Sequence, residues 1–161
     1  MFYLDLFNAL DRHHVDYLLI GGLAVSLHGV ERATMDVDIT VAMTPDNLAH
    51  LIETARELRL TPVLPVPLEA LGDLELLRQW HTERNLEAFA LRTPDLAGVT
   101  VDVLLFPPVE FSGMSQRATL FDVDSTTIRV VAIDDLIALK QAVGRPIDHS
   151  DIEHLQRIKQ L

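Results

Sequence analysis

Residues 20–41 read IGGLAVSLHGVERATMDVDITV. Two glycines close an apolar run, a short apolar segment follows, and Asp36 and Asp38 then stand two apart inside a strand-like stretch. Aspartate is poor strand material, so a pair of them needs a reason. Strand side chains alternate between faces, which puts the two aspartates on one face, roughly 6.6 Å apart at Cα, and Val37, Ile39 and Val41 on the other. Two carboxylates so placed suit one hard cation; without it they repel, and one pKa rises. Upstream, Gly21 and Gly22 let the backbone approach a ligand closely. A helix starting there offers free N–H groups and the positive end of its dipole to an anion. The plainer reading, a turn and an edge strand with two aspartates facing solvent, stays open for any lone D-x-D. Asp122 and Asp124 in FDVDST form such a pair without the glycines and are read as turn residues.

Outward from this stretch, DYLLIGG (16–22) and DVDITVA (36–42) read as strands around a short helix over 23–29 that Gly29 closes. Residues 3–13 predict a helix with Leu4, Leu6, Phe7 and Leu10 on one side. Thr44 caps, and Pro45 begins, a helix running to about Leu60. After three prolines a helical pattern extends from Leu68 to Trp80. Residues 85–95 and 99–106 predict two strands joined by a Pro-Asp turn near 94–98, and Pro107 and Pro108 end the second. A short helix follows, then one or two short strands within 119–132, then helices over 133–143 and about 151–160. Strands and helices mix without strict alternation. The expected fold class is α+β, a mixed sheet flanked by helices with two helices at the C-terminus, in a single domain over 1–161.

The composition, 48% apolar and 23% charged over 161 residues, is that of an ordinary globular protein. Apolar runs fall short of the 18 or more residues that cross a bilayer, which speaks against a membrane partner. The opening MFYLDLFNALDRHH carries Asp5 and Asp11 and no basic segment, unlike a signal peptide. With no cysteine, disulfides and thiolate metal sites are excluded, and a cytoplasmic location is expected. A net charge of −11 repels nucleic acid and argues against DNA as a partner. Basic residues group only mildly, at Lys140, Arg145, Arg157 and Lys159. His13 and His14 are adjacent, and His149 and His154 lie five apart. Neither is the i, i+4 pair of a helical metal site, and both read as surface or packing residues.

A third acid stands in VTVDVLLF, where Val101, Val103 and Leu105 take one face and Thr100, Asp102 and Leu104 the other. An acid buried there without compensation costs several kcal/mol, so a metal or a cleft accounts for Asp102 better than chance; Glu87 in the adjacent strand is the lesser candidate. On the helix over 133–143, Ile133, Leu136, Ile137 and Val143 form a stripe with Lys140 near its middle. Lys140 either snorkels out of that stripe or faces phosphates across a cleft. Ser150 and Glu153 fit a capping box, in which case Asp148 and Asp151 organise a helix start and hold Arg145.

Together these residues resemble the nucleotidyltransferase superfamily that includes DNA polymerase beta. Its signature is an apolar residue, Gly, Gly or Ser, a spacer, then Asp, apolar, Asp or Glu, apolar. Ile20, Gly21, Gly22, thirteen intervening residues, Asp36, Val37, Asp38 and Ile39 match it, with a long spacer and with Gly where Ser is commoner. Arg32, Thr34 and Asp36 also resemble the R-x-T-x-D lead-in of bacterial members, and Lys140, Arg145, Asp148 and Asp151 the C-terminal pattern of small abortive-infection type members. The resemblance implies a nucleotidyltransferase fold and transfer of a nucleoside monophosphate from a nucleoside triphosphate to an acceptor hydroxyl. Asp36, Asp38 and Asp102 would be catalytic and hold Mg²⁺ or Mn²⁺, and Asp102 would take the hydroxyl proton. Gly21, Gly22, Arg32, Thr34, Lys140 and Arg145 would bind the nucleotide, although Arg32 reads equally as a solvated loop residue. The resemblance leaves the acceptor open among RNA ends, proteins and small molecules, and includes toxin–antitoxin systems with a cognate toxin or antitoxin as partner. The competing expectation is an inactive member that binds nucleotide or a partner. Residues 61–98 have no counterpart and are expected to shape the acceptor side.

Overall fold

The computed structural model describes residues 2–95 and 98–161. Seven strands form one mixed sheet, in the order β3 (Thr61–Pro62), β4 (Ala88–Arg92), β5 (Thr100–Leu104), β2 (Val37–Val41), β1 (Tyr17–Ile20), β7 (Thr126–Val130), β6 (Thr119–Val123). β2 runs parallel to β5, and β1 parallel to β7; the other neighbours are antiparallel. The helices are α1 (Phe2–Arg12), α2 (Gly21–Leu27), α3 (Pro45–Glu57), α4 (Leu74–Arg84), α5 (Phe111–Arg117), α6 (Ile133–Val143) and α7 (Pro146–Lys159). The α+β architecture is the expected one, and among the described residues no helix is long and apolar enough to cross a membrane.

Register follows from burial. Val37, Ile39 and Val41 on β2 and Val101 and Val103 on β5 all lie in the core. A slip of one residue would turn every one of them to the opposite face. The parallel register that buries both sets pairs Val37 with Val101 and Ile39 with Val103, so Asp38 falls opposite Asp102. The same row continues to Ile20 on β1 and Ala90 on β4. Thr40, fully buried on the acid face, donates from Oγ1 to the Leu104 carbonyl at 3.1 Å.

Several boundaries differ from the sequence reading. α2 begins at Gly21 itself, so the glycines belong to the helix and not to the end of β1. α3 stops at Glu57, before Arg59 takes a positive φ of 57°. The pattern from Leu68 to Trp80 is not one helix. A 3₁₀ turn spans Leu68–Gly72, and α4 restarts where Asp73 accepts the Leu76 N–H at 3.0 Å, because a capping carboxylate competes with helix continuation. Residues 119–130 form a two-stranded hairpin. Asp124 sits in its turn at φ 48°, whereas Asp122 is a strand residue that accepts from Thr127 Oγ1 at 2.9 Å. In the turn near 94–98, Asp95 accepts from Thr93 Oγ1 at 2.7 Å, while Leu96 and Ala97 lie outside the described residues.

The last helix departs most. α7 starts at Pro146 and not near 151, because Asp148 accepts the Arg145 N–H at 3.0 Å; the cap is Arg145 with Asp148, not Ser150 with Glu153. Val143 is 62% exposed, so it leaves the apolar stripe of α6 that otherwise holds Leu136 and Ile137.

Candidate active site

A cleft of about 950 Å³ opens over the acid face of β2 and β5. Gly21, Gly22, Arg32, Thr34, Asp36, Asp38, Asp102, Lys140 and Arg145 all border it. Chain segments far apart in sequence therefore converge on one concavity.

Asp38 and Asp102 stand side by side on adjacent strands, close enough to share a hydrogen bond. Burial, the neighbouring Asp102 and then the Asp36 charge push Asp38 up to about 7, and Lys140 offsets only part of this. Asp102 is also raised, by burial first and by Asp36, against a lowering hydrogen bond from Asp38. Asp36 is placed differently. It lies just before β2, and its Oδ1 accepts the Thr100 N–H at 3.2 Å, stitching the mouths of β2 and β5 together.

The glycines earn a specific explanation from their neighbours. Gly21 has φ 73°, and a Cβ there would meet Asp38 Oδ2 at 2.2 Å and Asp38 Cβ at 2.8 Å. At Gly22 a Cβ would fall 1.7 Å from Arg32 Nη1. The turn is bare because a carboxylate and a guanidinium lie directly on its backbone. Ser26 Oγ holds this arrangement, within reach of the Gly22 carbonyl at 3.2 Å and the Arg32 carbonyl at 3.0 Å. Thr34 Oγ1 donates to the Asp36 carbonyl at 3.3 Å and shapes the approach to β2. Gly21→Ala is expected to destabilise the fold by about 1–3 kcal/mol through strain at a positive φ and to displace Asp38. A thermal melt matching wild type would refute this.

The three cations form one network with α7. Arg32 Nε lies 3.1 Å from Asp151 Oδ1, and Lys140 Nζ lies 2.9 Å from Asp151 Oδ2 and 3.5 Å from Asp148 Oδ1. Arg145 Nε and Nη2 both donate to Asp148, at 2.8 and 3.2 Å. Burial acts to raise Asp148, but the Arg145 hydrogen bonds and the Arg145 and Lys140 charges outweigh it and hold the carboxyl below its usual value. Lys140 therefore does not snorkel; it is 5% exposed, clamped between two acids. Asp151 does more than organise a helix start, since it joins Lys140 to Arg32 above the glycine turn. Three cations against two carboxylates leave one formal positive charge at this end of the cleft.

The sequence reading missed His81 and Phe106, which line the far end of the cleft beside Glu87. No local pattern marks them; only the return of α4 over the end of β5 brings them together.

The donor set fits a hard divalent cation in chemistry, being all carboxylate oxygen. Asp38 and Asp102 are already paired, and burial first, then the crowding of acidic neighbours, raises both pKa values. Among the described residues, however, no three acidic or histidine side chains stand arranged around one point, since Asp36 is turned to Thr100. Asp38 and Asp102 would hold the ion, with Asp36 joining by rotation.

Known structures share this architecture. The lincosamide antibiotic adenylyltransferase LnuA, bound to lincomycin, superposes with a TM-score of 0.61 at 16% identity, over 98% of this chain and 94% of that one. The chain has the nucleotidyltransferase fold. A nucleotidyltransferase-like antigen of Paracoccidioides brasiliensis aligns at 0.55 and 19% identity, covering 95% of this chain and 71% of its own. ANT(2")-Ia in complex with adenylyl-2"-tobramycin aligns at 0.53 and 14% identity, over 96% and 89%. No family model and no curated protein matches by sequence. The nucleotidyltransferase likeness is thus one of fold, retained at sequence identities below a fifth.

Proposed function

We propose that this chain is a nucleotidyltransferase that moves a nucleoside monophosphate from a nucleoside triphosphate to an acceptor hydroxyl. The observation that carries the reading is the Asp38–Asp102 pair, set on facing positions of parallel strands against the glycine turn. In the reaction the acceptor oxygen bonds to the α-phosphorus as the bond to pyrophosphate breaks. Asp38 and Asp102, joined by Asp36, would hold Mg²⁺ or Mn²⁺. A bound cation would supply Lewis-acid stabilisation of the phosphate oxygens and of the attacking hydroxyl. Arg32, which lies on Gly22, would meet the leaving pyrophosphate. Lys140 positions Arg32 through Asp151 and adds its charge to the cleft.

The related folds that hold lincomycin and adenylyl-2"-tobramycin favour a small-molecule acceptor. The net charge of −11 favours it over RNA. The toxin–antitoxin role rests on the resemblance of residues 20–41, 99–106 and 133–156 alone, and the cytoplasmic setting on the absence of cysteine. One observation favours the inactive alternative: the tie of Asp36 to Thr100.

Incubation with α-labelled nucleoside triphosphates and hydroxyl-bearing acceptors separates these readings. Wild type is expected to transfer label and release pyrophosphate, with Asp38→Asn and Asp102→Asn slower by about 10³-fold, the scale of losing one preorganised electrostatic group. Transfer by Asp38→Asn within about tenfold of wild type, well short of the expected loss, or release of inorganic phosphate in place of pyrophosphate, would overturn the proposal.

A further inference from the structure

At about 950 Å³ the cleft stands at the upper end of small-molecule pockets, with space beyond the acid pair. Past Asp102 it continues by Leu104 to Phe106, His81 and Glu87. Phe106 has φ 47°, an outlier for a bulky residue that persists only where the surroundings impose it. Two residues of α4 pack on its ring. The Arg78 guanidinium lies 4.8 Å from the Phe106 ring centre, and the His81 ring lies 5.2 Å from it, tilted by 50°.

His81 is itself oriented. Its Nδ1 lies 2.9 Å from the Leu86 carbonyl oxygen. A carbonyl only accepts, so Nδ1 carries a proton, and in the neutral form of the ring Nε2 is then the acceptor. Glu87 also borders this end, and its carboxylate can only accept. The cations that line the cleft, Arg32, Lys140 and Arg145, are engaged with Asp148 and Asp151, and Arg78 lies on the Phe106 ring without lining the cleft.

We infer that this end is the acceptor subsite, and that its acceptor is a small neutral or cationic ring compound. The compound presents hydroxyl or ammonium donors to His81 Nε2 and Glu87 and a C–H face to Phe106. The inference rests on the nucleotidyltransferase reading. Two hydrogen-bond acceptors are satisfied only by donors, and an anionic group there would meet Glu87 and Asp102. A phosphorylated acceptor or a nucleic-acid end is thereby disfavoured.

The test uses the intact chain with Mg²⁺ and α,β-methylene-ATP, whose α–β linkage does not cleave. His81→Ala, Glu87→Gln and Phe106→Leu are expected to bind this nucleotide within threefold of wild type, because none touches it. A loss of tenfold or more confined to these variants assigns this end to the nucleotide and overturns the subsite. A wild type with no affinity for the nucleotide overturns the functional reading, and the subsite with it. On the nucleotide-loaded protein, ¹⁵N NMR is expected to find His81 Nε2 unprotonated when the ring is neutral; an Nε2–H tautomer overturns the assignment. Tobramycin, a hydroxylated cationic ring compound, is expected to shift the His81 resonances more than glucose 6-phosphate does at equal concentration. No response to tobramycin, or an equal or larger one to glucose 6-phosphate, overturns the acceptor class.

Discussion

Lys140→Met is expected to destabilise the protein by about 3–5 kcal/mol, the usual result of removing one partner from a buried ion pair. The size follows from what is left behind. Asp151, 2% exposed, would keep only Arg32, and Asp148, 1% exposed, only Arg145. Desolvated carboxylates lose stability steeply when a facing charge goes, whereas an exposed pair such as Lys159 with Asp134 is worth about 0–1 kcal/mol. For a chain of this length the change corresponds to a drop in melting temperature on the order of 10 °C. Adding Asp151→Asn to Lys140→Met removes one stranded charge and should recover part of the loss. Denaturant titration of the two variants measures both effects. A single variant within about 1 kcal/mol of wild type would mean that the network is solvated, and would remove the argument that Lys140 positions Arg32.

Asp38→Asn is expected to do the opposite to stability while slowing transfer by about 10³-fold. Asp38 has its folded pKa raised from 3.8 to about 7, chiefly by burial and then by Asp102. Between those values the folded state binds more protons than the unfolded state, so stability falls as pH rises through that window. Below pH 4 Asp38 is neutral in both states and imposes no penalty. Above pH 7 it is ionised in both, and the full penalty is present. At about 1.4 kcal/mol per pKa unit this is on the order of 4 kcal/mol for one group. In the presence of a chelator, wild type should therefore lose stability between pH 4 and 7 relative to Asp38→Asn, and the variant should melt higher at pH 8. Parallel pH–stability curves for the two proteins would refute the burial of this charge. Saturating Mg²⁺ should narrow the gap in wild type, because a ligand that binds only the folded state stabilises it.

How much of the site was legible depends on the range of the interactions involved. The β1–α2–β2 unit and the acids at Asp36, Asp38 and Asp102 follow from short-range rules: alternation along a strand, two glycines at a turn, apolar positions that demand the core. The faces of β5 were readable for the same reason, and once both apolar faces are buried the pairing of Asp38 with Asp102 is nearly forced. The start of α7 was misread because two local caps compete there. Arg145 with Asp148 prevails over Ser150 with Glu153 since Asp148 is buried and must also satisfy Lys140.

By itself, then, the sequence determined a mixed sheet, a glycine turn and which acids share a face, because each is settled by neighbours within a few residues. Tertiary structure alone decided that Arg32 lies on Gly22 and reaches Asp151, that Asp36 turns to Thr100 across 64 residues, and that α4 carries His81 onto Phe106. Those contacts join segments with no local preference for each other. They form only when burial of the core has closed the chain around the cleft, and charge and hydrogen-bond satisfaction then select among the side-chain positions left.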